Sequence, residues 1–236
     1  MKHFALTLAA ILSVTVFLDT STSAQEATPP LTAADREAFY KDLLEKRVAA
    51  IVNELALTNS ASSAQVHDLL TNYYRGLKAR DERLAAAHQS VAKEPVATDK
   101  DSAVRARNQT GMTHDQFITG LSTELTPTQV ETVKDLMTYR KVKFTYDGYN
   151  AIVPGLTDEQ KARILVMLWA AREEAIDGGS ATEKSAIFQK YKDKINEYLT
   201  AQGYDVAQAY KDWNTKLELA KKQKGEPVQA GAKPAP

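Results

Sequence analysis

The stretch Leu125-Thr126-Pro127-Thr128-Gln129-Val130-Glu131-Thr132-Val133-Lys134-Asp135-Leu136-Met137 spells out a helix start followed by its buried face. Thr126 can accept a backbone N–H as the capping residue, and Gln129 can return a bond to the cap. Pro127 suits the first helical position, where its missing N–H leaves nothing unpaired. Leu125, just before the cap, can staple onto Val130. Val130, Val133, Leu136 and Met137 then recur at helical spacing. The same device returns in Leu156-Thr157-Asp158-Glu159-Gln160, which starts 31 residues further on. Ile164, Leu165, Leu168 and Ile176 follow it. Looser versions stand at Leu31-Thr32 and Leu57-Thr58.

Working outward, apolar stripes of helical period fill most of the chain. They run through Phe39, Leu43, Leu44, Ile51 and Leu55, and through Val66, Leu69, Leu70, Tyr73, Leu77 and Leu84. Later stripes hold Ile187, Phe188, Tyr191, Ile195, Tyr198 and Leu199, then Val206, Tyr210, Trp213 and Leu217. Trp169 and Trp213 fall on or near such stripes and read as core. Strand-like alternation is confined to Val142-Lys143-Phe144-Thr145-Tyr146, short enough to be an irregular or helical link. Gly178-Gly179 and Gly203 read as left-handed C-terminal caps. The fold class is all-α: a single-domain bundle of about six or seven mostly antiparallel helices. The helical domain covers residues 32–223, with a long polar loop near 91–110 that carries Pro95. Residues 25–31 read as a disordered linker and 224–236 as a disordered tail rich in Gly, Ala and Pro.

The first residues predict export. Lys2 and His3 precede an apolar run from Phe4 to Leu18. Thr22 and Ala24 then occupy the −3 and −1 positions of a signal-peptidase site, giving a signal peptide over residues 1–24. The expected location is periplasmic or secreted, with no membrane insertion after cleavage. The 236 residues hold 30 basic and 30 acidic side chains and no cysteine. Cleavage removes one charge of each sign, Lys2 and Asp19, so the mature chain stays neutral. A neutral chain lacks the basic excess that a nucleic-acid binder needs. With no thiol there is no disulfide framework, cysteine nucleophile or thiolate zinc site.

Sequence motifs for phosphate loops, zinc hydrolases, serine hydrolases and calcium loops are absent. His67, His88 and His114 are scattered, and neither metal nor cofactor is expected. The densest chemical stretch holds Lys134, Asp135, Tyr139, Tyr146 and Tyr149. Tyrosines and lysines beside carboxylates can bind a sugar through flat rings and polar tips; the alternative is that the rings face the bundle. In Arg172-Glu173-Glu174-Ala175-Ile176-Asp177, Glu173 and Asp177 share a helix face, as a carboxylate pair or a divalent-cation site requires. Arg172 lies on the apolar side, where an arginine needs an internal carboxylate partner, and structural ion pairing is favoured there.

Several motifs in register resemble the domain of unknown function 3826 family. They are Val133-Lys134-Asp135-Leu136-Met137-Thr138-Tyr139, Pro154-Gly155-Leu156-Thr157 with Glu159-Gln160-Lys161, and Ala171-Arg172-Glu173-Glu174-Ala175-Ile176-Asp177. Tyr191-Lys192-Asp193-Lys194-Ile195-Asn196 with Tyr198-Leu199, and Gly203-Tyr204-Asp205, continue the similarity. It covers roughly residues 36–213; Ile176 stands where the family tends to carry Met. The resemblance implies an exported bacterial protein whose genes often lie among polysaccharide-degradation loci, pectin-type ones especially. The paired LTxxQ motifs also resemble those of periplasmic chaperones, which are shorter and present a basic concave face.

The expected function is therefore an accessory factor in polysaccharide breakdown that binds an oligosaccharide or a protein partner. Its candidate residues are His114, Lys134, Asp135, Tyr139, Tyr146, Tyr149, Arg172 and Glu173. One alternative is a carbohydrate-active lyase or hydrolase. Arg172 or Lys134 would then neutralise a uronate and Tyr139 or His114 would take the proton, or Glu173 would act with Asp177 or Asp135. A periplasmic chaperone is the other.

Overall fold

A computed structural model describes residues 32–91 and 111–223. The signal peptide, the linker over 25–31, the polar loop after Val91 and the C-terminal tail lie outside the described residues. Within them the chain forms eight helices and no strand. These are α1 (Ala33–Glu54), α2 (Ser60–Val91), α3 (His114–Glu124) and α4 (Pro127–Met137). Then come α5 (Lys141–Ile152), α6 (Asp158–Ile176), α7 (Ala181–Ala201) and α8 (Val206–Gln223). The all-helical class agrees with the sequence pattern, and the count exceeds the expected six or seven. One added helix is α5, where Val142–Tyr146 forms the opening turns and not an irregular link.

Side chains write the helix starts. Thr126 Oγ1 accepts from Gln129 N, while Gln129 Oε1 accepts from Thr126 N at 3.0 Å. Thr157 and Gln160 repeat the reciprocal pair at 3.2 and 2.9 Å. Thr32 with Asp35 and Thr113 with Gln116 make two more. The Leu57-Thr58 start is corrected by one residue: Asn59 Oδ1, not Thr58, accepts from Ala61 N at 2.9 Å and opens α2.

The stops differ more. Gly203 does adopt a left-handed φ of 92° after α7. Gly178 and Gly179 do not; neither is among the positive-φ residues. They are small because of close approach. A Cβ on Gly178 would stand 3.0 Å from Lys184 Cγ, and one on Gly179 would overlap the Asp81 carboxylate.

Burial sorts the helices into two cores. The first gathers Leu44, Val48 and Ile51 from α1, Val66, Leu70 and Tyr73 from α2, Phe117 and Leu121 from α3, and Val130 and Val133 from α4. The second gathers Val142 and Tyr149 from α5, Ile164 and Leu168 from α6, Phe188 and Ile195 from α7, and Val206 from α8. Among the described residues only the end of α6 belongs to both, since Ile176 packs into the first core. The chain passes from one core to the other at Thr138-Tyr139-Arg140. There Tyr139 (φ 58°) and Arg140 (φ 54°) are both left-handed, a conformation costing a non-glycine residue roughly 1–2 kcal/mol. Arg140 N donates to Asp135 O at 2.7 Å, and its side chain pairs with Glu54 at 2.8 Å.

Some stripe residues lie outside. Trp169, expected in the core, is 46% exposed, and Phe39 and Leu43 are exposed along α1. Trp169 follows Leu168 by one residue, so it stands about 100° around α6 from that buried neighbour.

Candidate functional site

The two cores meet along a polar seam, and α6 supplies its centre. Arg172 is 5% exposed. Its Nη1 donates to Asp135 Oδ1 at 2.7 Å, and its Nη2 donates to Glu131 and to Glu173 Oε1, the latter at 3.1 Å. Lys134 Nζ lies 3.1 Å from Glu173 Oε2 and 3.3 Å from Glu131 Oε1. Burial alone would raise the Glu131 carboxyl, but the Arg172 hydrogen bond and charge, with Lys134, hold it below the usual range. The arginine on the apolar face thus has carboxylate partners, though these are more than a third exposed and not internal.

One turn further along α6, Asp177 ends the helix and carries a second linkage. Its Oδ1 accepts the Tyr73 hydroxyl from α2 and lies 2.9 Å from His114 Nδ1 at the start of α3. His114 Nε2 is 3.9 Å from Glu173 Oε2, beyond hydrogen-bond reach. Burial, with the bond to Asp177, pushes the Tyr73 phenol far above its ordinary range, so it stays a donor at any physiological pH.

Beside this linkage opens a cleft of about 590 Å³. On one side it is lined by Tyr73, Leu77 and Arg80 of α2 and by Met112, Thr113 and His114 at the start of α3. On the other stand Glu174, Asp177 and Gly178 at the end of α6 and Glu183 and Ile187 of α7. Arg80 donates to Asp81 Oδ1 from Nε and Nη2, at 3.0 and 2.8 Å, and lies 3.6 Å from Glu183. Glu183 Oε2 accepts Gly179 N at 2.9 Å. Glu174 is paired with Lys190 at 2.9 Å, and the Lys190 hydrogen bond holds its carboxyl below the usual range. The floor beneath Gly178 is Lys184, fully buried, with Nζ donating to Ala175 O at 2.7 Å and Ile176 O at 3.1 Å.

Lys184 gives the fold a predictable pH response. Burial, followed by the Arg47 charge, pushes its ammonium down to about 8 from 10.5. Between those values the unfolded chain binds more protons than the folded one, so stability rises with pH across the window. Urea midpoints should climb between about pH 8 and pH 10, and Lys184→Met should remove the climb. Above that range the raised Tyr73 phenol acts oppositely, because the unfolded phenol ionises first. A wild-type midpoint that stays flat or falls across the window would refute the assignment.

Of the eight sequence candidates, the structure brings five together: His114, Lys134, Asp135, Arg172 and Glu173. Three lie elsewhere. Tyr139, 41% exposed in the left-handed turn, accepts from Arg47 Nη2 at 2.6 Å. Tyr146 packs half-buried against the second core. Tyr149 is a core residue whose hydroxyl is shared between Asn196 Oδ1 at 2.8 Å and Lys192 O at 3.1 Å. The tyrosines of α5 turn away from the seam and into or against the second core. Glu173 and Asp177 do share a face, yet each is taken by different partners. Among the described residues no group of three or more His, Asp or Glu is arranged to hold a metal ion. Sequence reasoning missed Tyr73 and Arg80, because what makes them site residues is the packing of α2 against the end of α6.

The fold and seam define an all-helical protein with two cores and a polar cleft where they meet. Among the described residues no helix is long and apolar enough to cross a membrane. The chain belongs to the family described as Protein of unknown function (DUF3826), the match running over residues 22–218. No curated protein matches it.

Proposed function

We propose that this chain is an exported accessory protein of polysaccharide breakdown that binds an uncharged, hydroxyl-rich glycan in the cleft between its two cores. The observation that carries the reading is the cleft lining. Arg80 and His114 stand among Glu174, Asp177 and Glu183, with Met112 and Ile187 supplying apolar surface. Carboxylates accept hydrogen bonds from sugar hydroxyls, and a few placed polar groups on an apolar wall are what small-ligand sites use. Arg80 is already bonded to Asp81, so the lining has little positive charge to offer a uronate. Neutral stretches of a pectin-type polysaccharide fit it better than its acidic backbone. The resemblance to a family found among polysaccharide-degradation loci supports the setting.

Thermal unfolding with neutral galacto- and arabino-oligosaccharides, against oligogalacturonides, tests the proposal. Neutral ligands at about 100 times their Kd should add about 2.7 kcal/mol, a rise of several degrees. Oligogalacturonides should add nothing, and Glu183→Gln should reduce the shift. No shift with any neutral glycan would sink it.

A further inference from the structure

We infer that the cleft is a hydrolytic site in which His114 is the general base, and that its substrate class is an ester substituent on a neutral glycan. The inference rests on the glycan-binding reading of the same cleft and goes beyond it. Its first support is the chain of contacts from Tyr73 through Asp177 to His114. With Asp177 Oδ1 2.9 Å from Nδ1, the proton is assigned to that nitrogen and the acceptor role to Nε2, which lies 3.9 Å from Glu173 Oε2. Tyr73, itself 2% exposed, donates to the same carboxylate. A histidine oriented by a carboxylate that is itself oriented by a third group is the geometry of proton abstraction.

The reaction class follows by exclusion. A glycosidase needs a protonated carboxylic acid beside the scissile bond. Here Glu174 is paired with Lys190, Glu183 accepts Gly179 N and Asp177 accepts Tyr73. A uronate lyase needs cationic charge facing the substrate carboxylate, whereas Arg80 is bonded to Asp81. A covalent mechanism needs a nucleophile, but among the described residues no serine lines the cleft, and the chain has no cysteine. Thr113 is used as the cap of α3, its hydroxyl accepting from Gln116 N. Water is assigned as the attacking group. His114 Nε2 takes a proton from water as its oxygen bonds to the acyl carbon. The bond from that carbon to the sugar oxygen then breaks, and the imidazolium returns the proton to the leaving sugar oxygen. The products are a free hydroxyl and a carboxylic acid, which releases its own proton to solvent. His114 is the catalytic residue; Asp177 and Tyr73 are positioning residues.

The groups facing His114 are Asp177 and Glu173 of α6 and Tyr73 of α2, with Lys134 of α4 behind Glu173. The test measures acetate released from acetylated galacto-oligosaccharide by the whole protein, and in parallel calorimetric binding of the deacetylated oligosaccharide. His114→Gln should lower kcat by about 10²–10⁴, the usual worth of a general base, a far larger loss than any in KM or oligosaccharide binding. Asp177→Asn and Tyr73→Phe should lower kcat less, and the conservative Asp177→Glu should restore part of the loss, which a merely structural role would not. Circular dichroism checks that each variant is folded. Binding without hydrolysis above the His114→Gln baseline would overturn this inference and leave the binding proposal standing. Absence of both binding and hydrolysis would overturn both.

Discussion

Phe117→Ala should lower the unfolding free energy by about 3–5 kcal/mol, the cost of emptying a fully enclosed aromatic site. Phe117 has no exposed surface and stacks on Tyr73 with centroids 4.0 Å apart and planes 6° from parallel. The loss combines transfer of the ring, the cavity left behind and the stacking contribution, itself about 0.5–1.5 kcal/mol. It should appear as a lower urea midpoint at unchanged slope. The same substitution reaches the cleft, because the ring that fixes Tyr73 is gone and the Tyr73–Asp177 bond loses its anchor. Phe117→Leu keeps much of the volume and should cost less. A loss below about 1 kcal/mol for the alanine variant would mean that α3 does not seat as described.

Arg172→Leu should cost about 2–3 kcal/mol. Removing one member of a buried ion pair costs 3–5 kcal/mol. Here the guanidinium is buried, but Glu131 and Asp135 are more than a third exposed, so water softens the loss. For a domain of this size that is roughly a 4–12 °C fall in Tm. The deficit should also depend on pH. Glu131 is held below its ordinary range in the fold, so the stability it contributes is present above that range and disappears as pH falls through the lowered value. Wild type and variant should therefore converge in acid. A deficit that is constant down to pH values below the carboxylate range would show that packing of the arginine stem, and not its charge, is what the seam needs.

Much of this seam was legible. Thr126 with Gln129 and Thr157 with Gln160 set two helix starts through contacts three residues apart, which a sequence displays directly. Arg172 on an apolar face demanded a carboxylate, and Asp135 and Glu131 answered from the helix whose start the first motif marks. What stayed hidden depends on packing between distant segments. Tyr73 sits on an apolar stripe like any core ring, and only the meeting of α2 with α6 gives its hydroxyl a carboxylate. Gly178 and Gly179 looked like caps because glycine serves two purposes, and the crowding by Lys184 and Asp81 cannot be read locally. Tyr149 could have been placed better. It lies seven residues after Val142 and four before Val153, a spacing that returns to the same helix face and marks a core stripe.

The left-handed pair at Tyr139 and Arg140 also bears on how copies of this chain could combine. Among the described residues it is the single covalent crossing between the helices of one core and those of the other. Two molecules that straightened it could trade α5–α8, each rebuilding the Arg172–Asp135 and Tyr73–Asp177 contacts against the other's α1–α4. Such a swap would keep the Arg172 and Tyr73 contacts and relieve two left-handed residues, at the loss of the Arg47–Tyr139 and Arg140–Glu54 bonds. Arg47 on Tyr139 and Glu54 on Arg140 hold the turn bent, against the strain of its two left-handed residues.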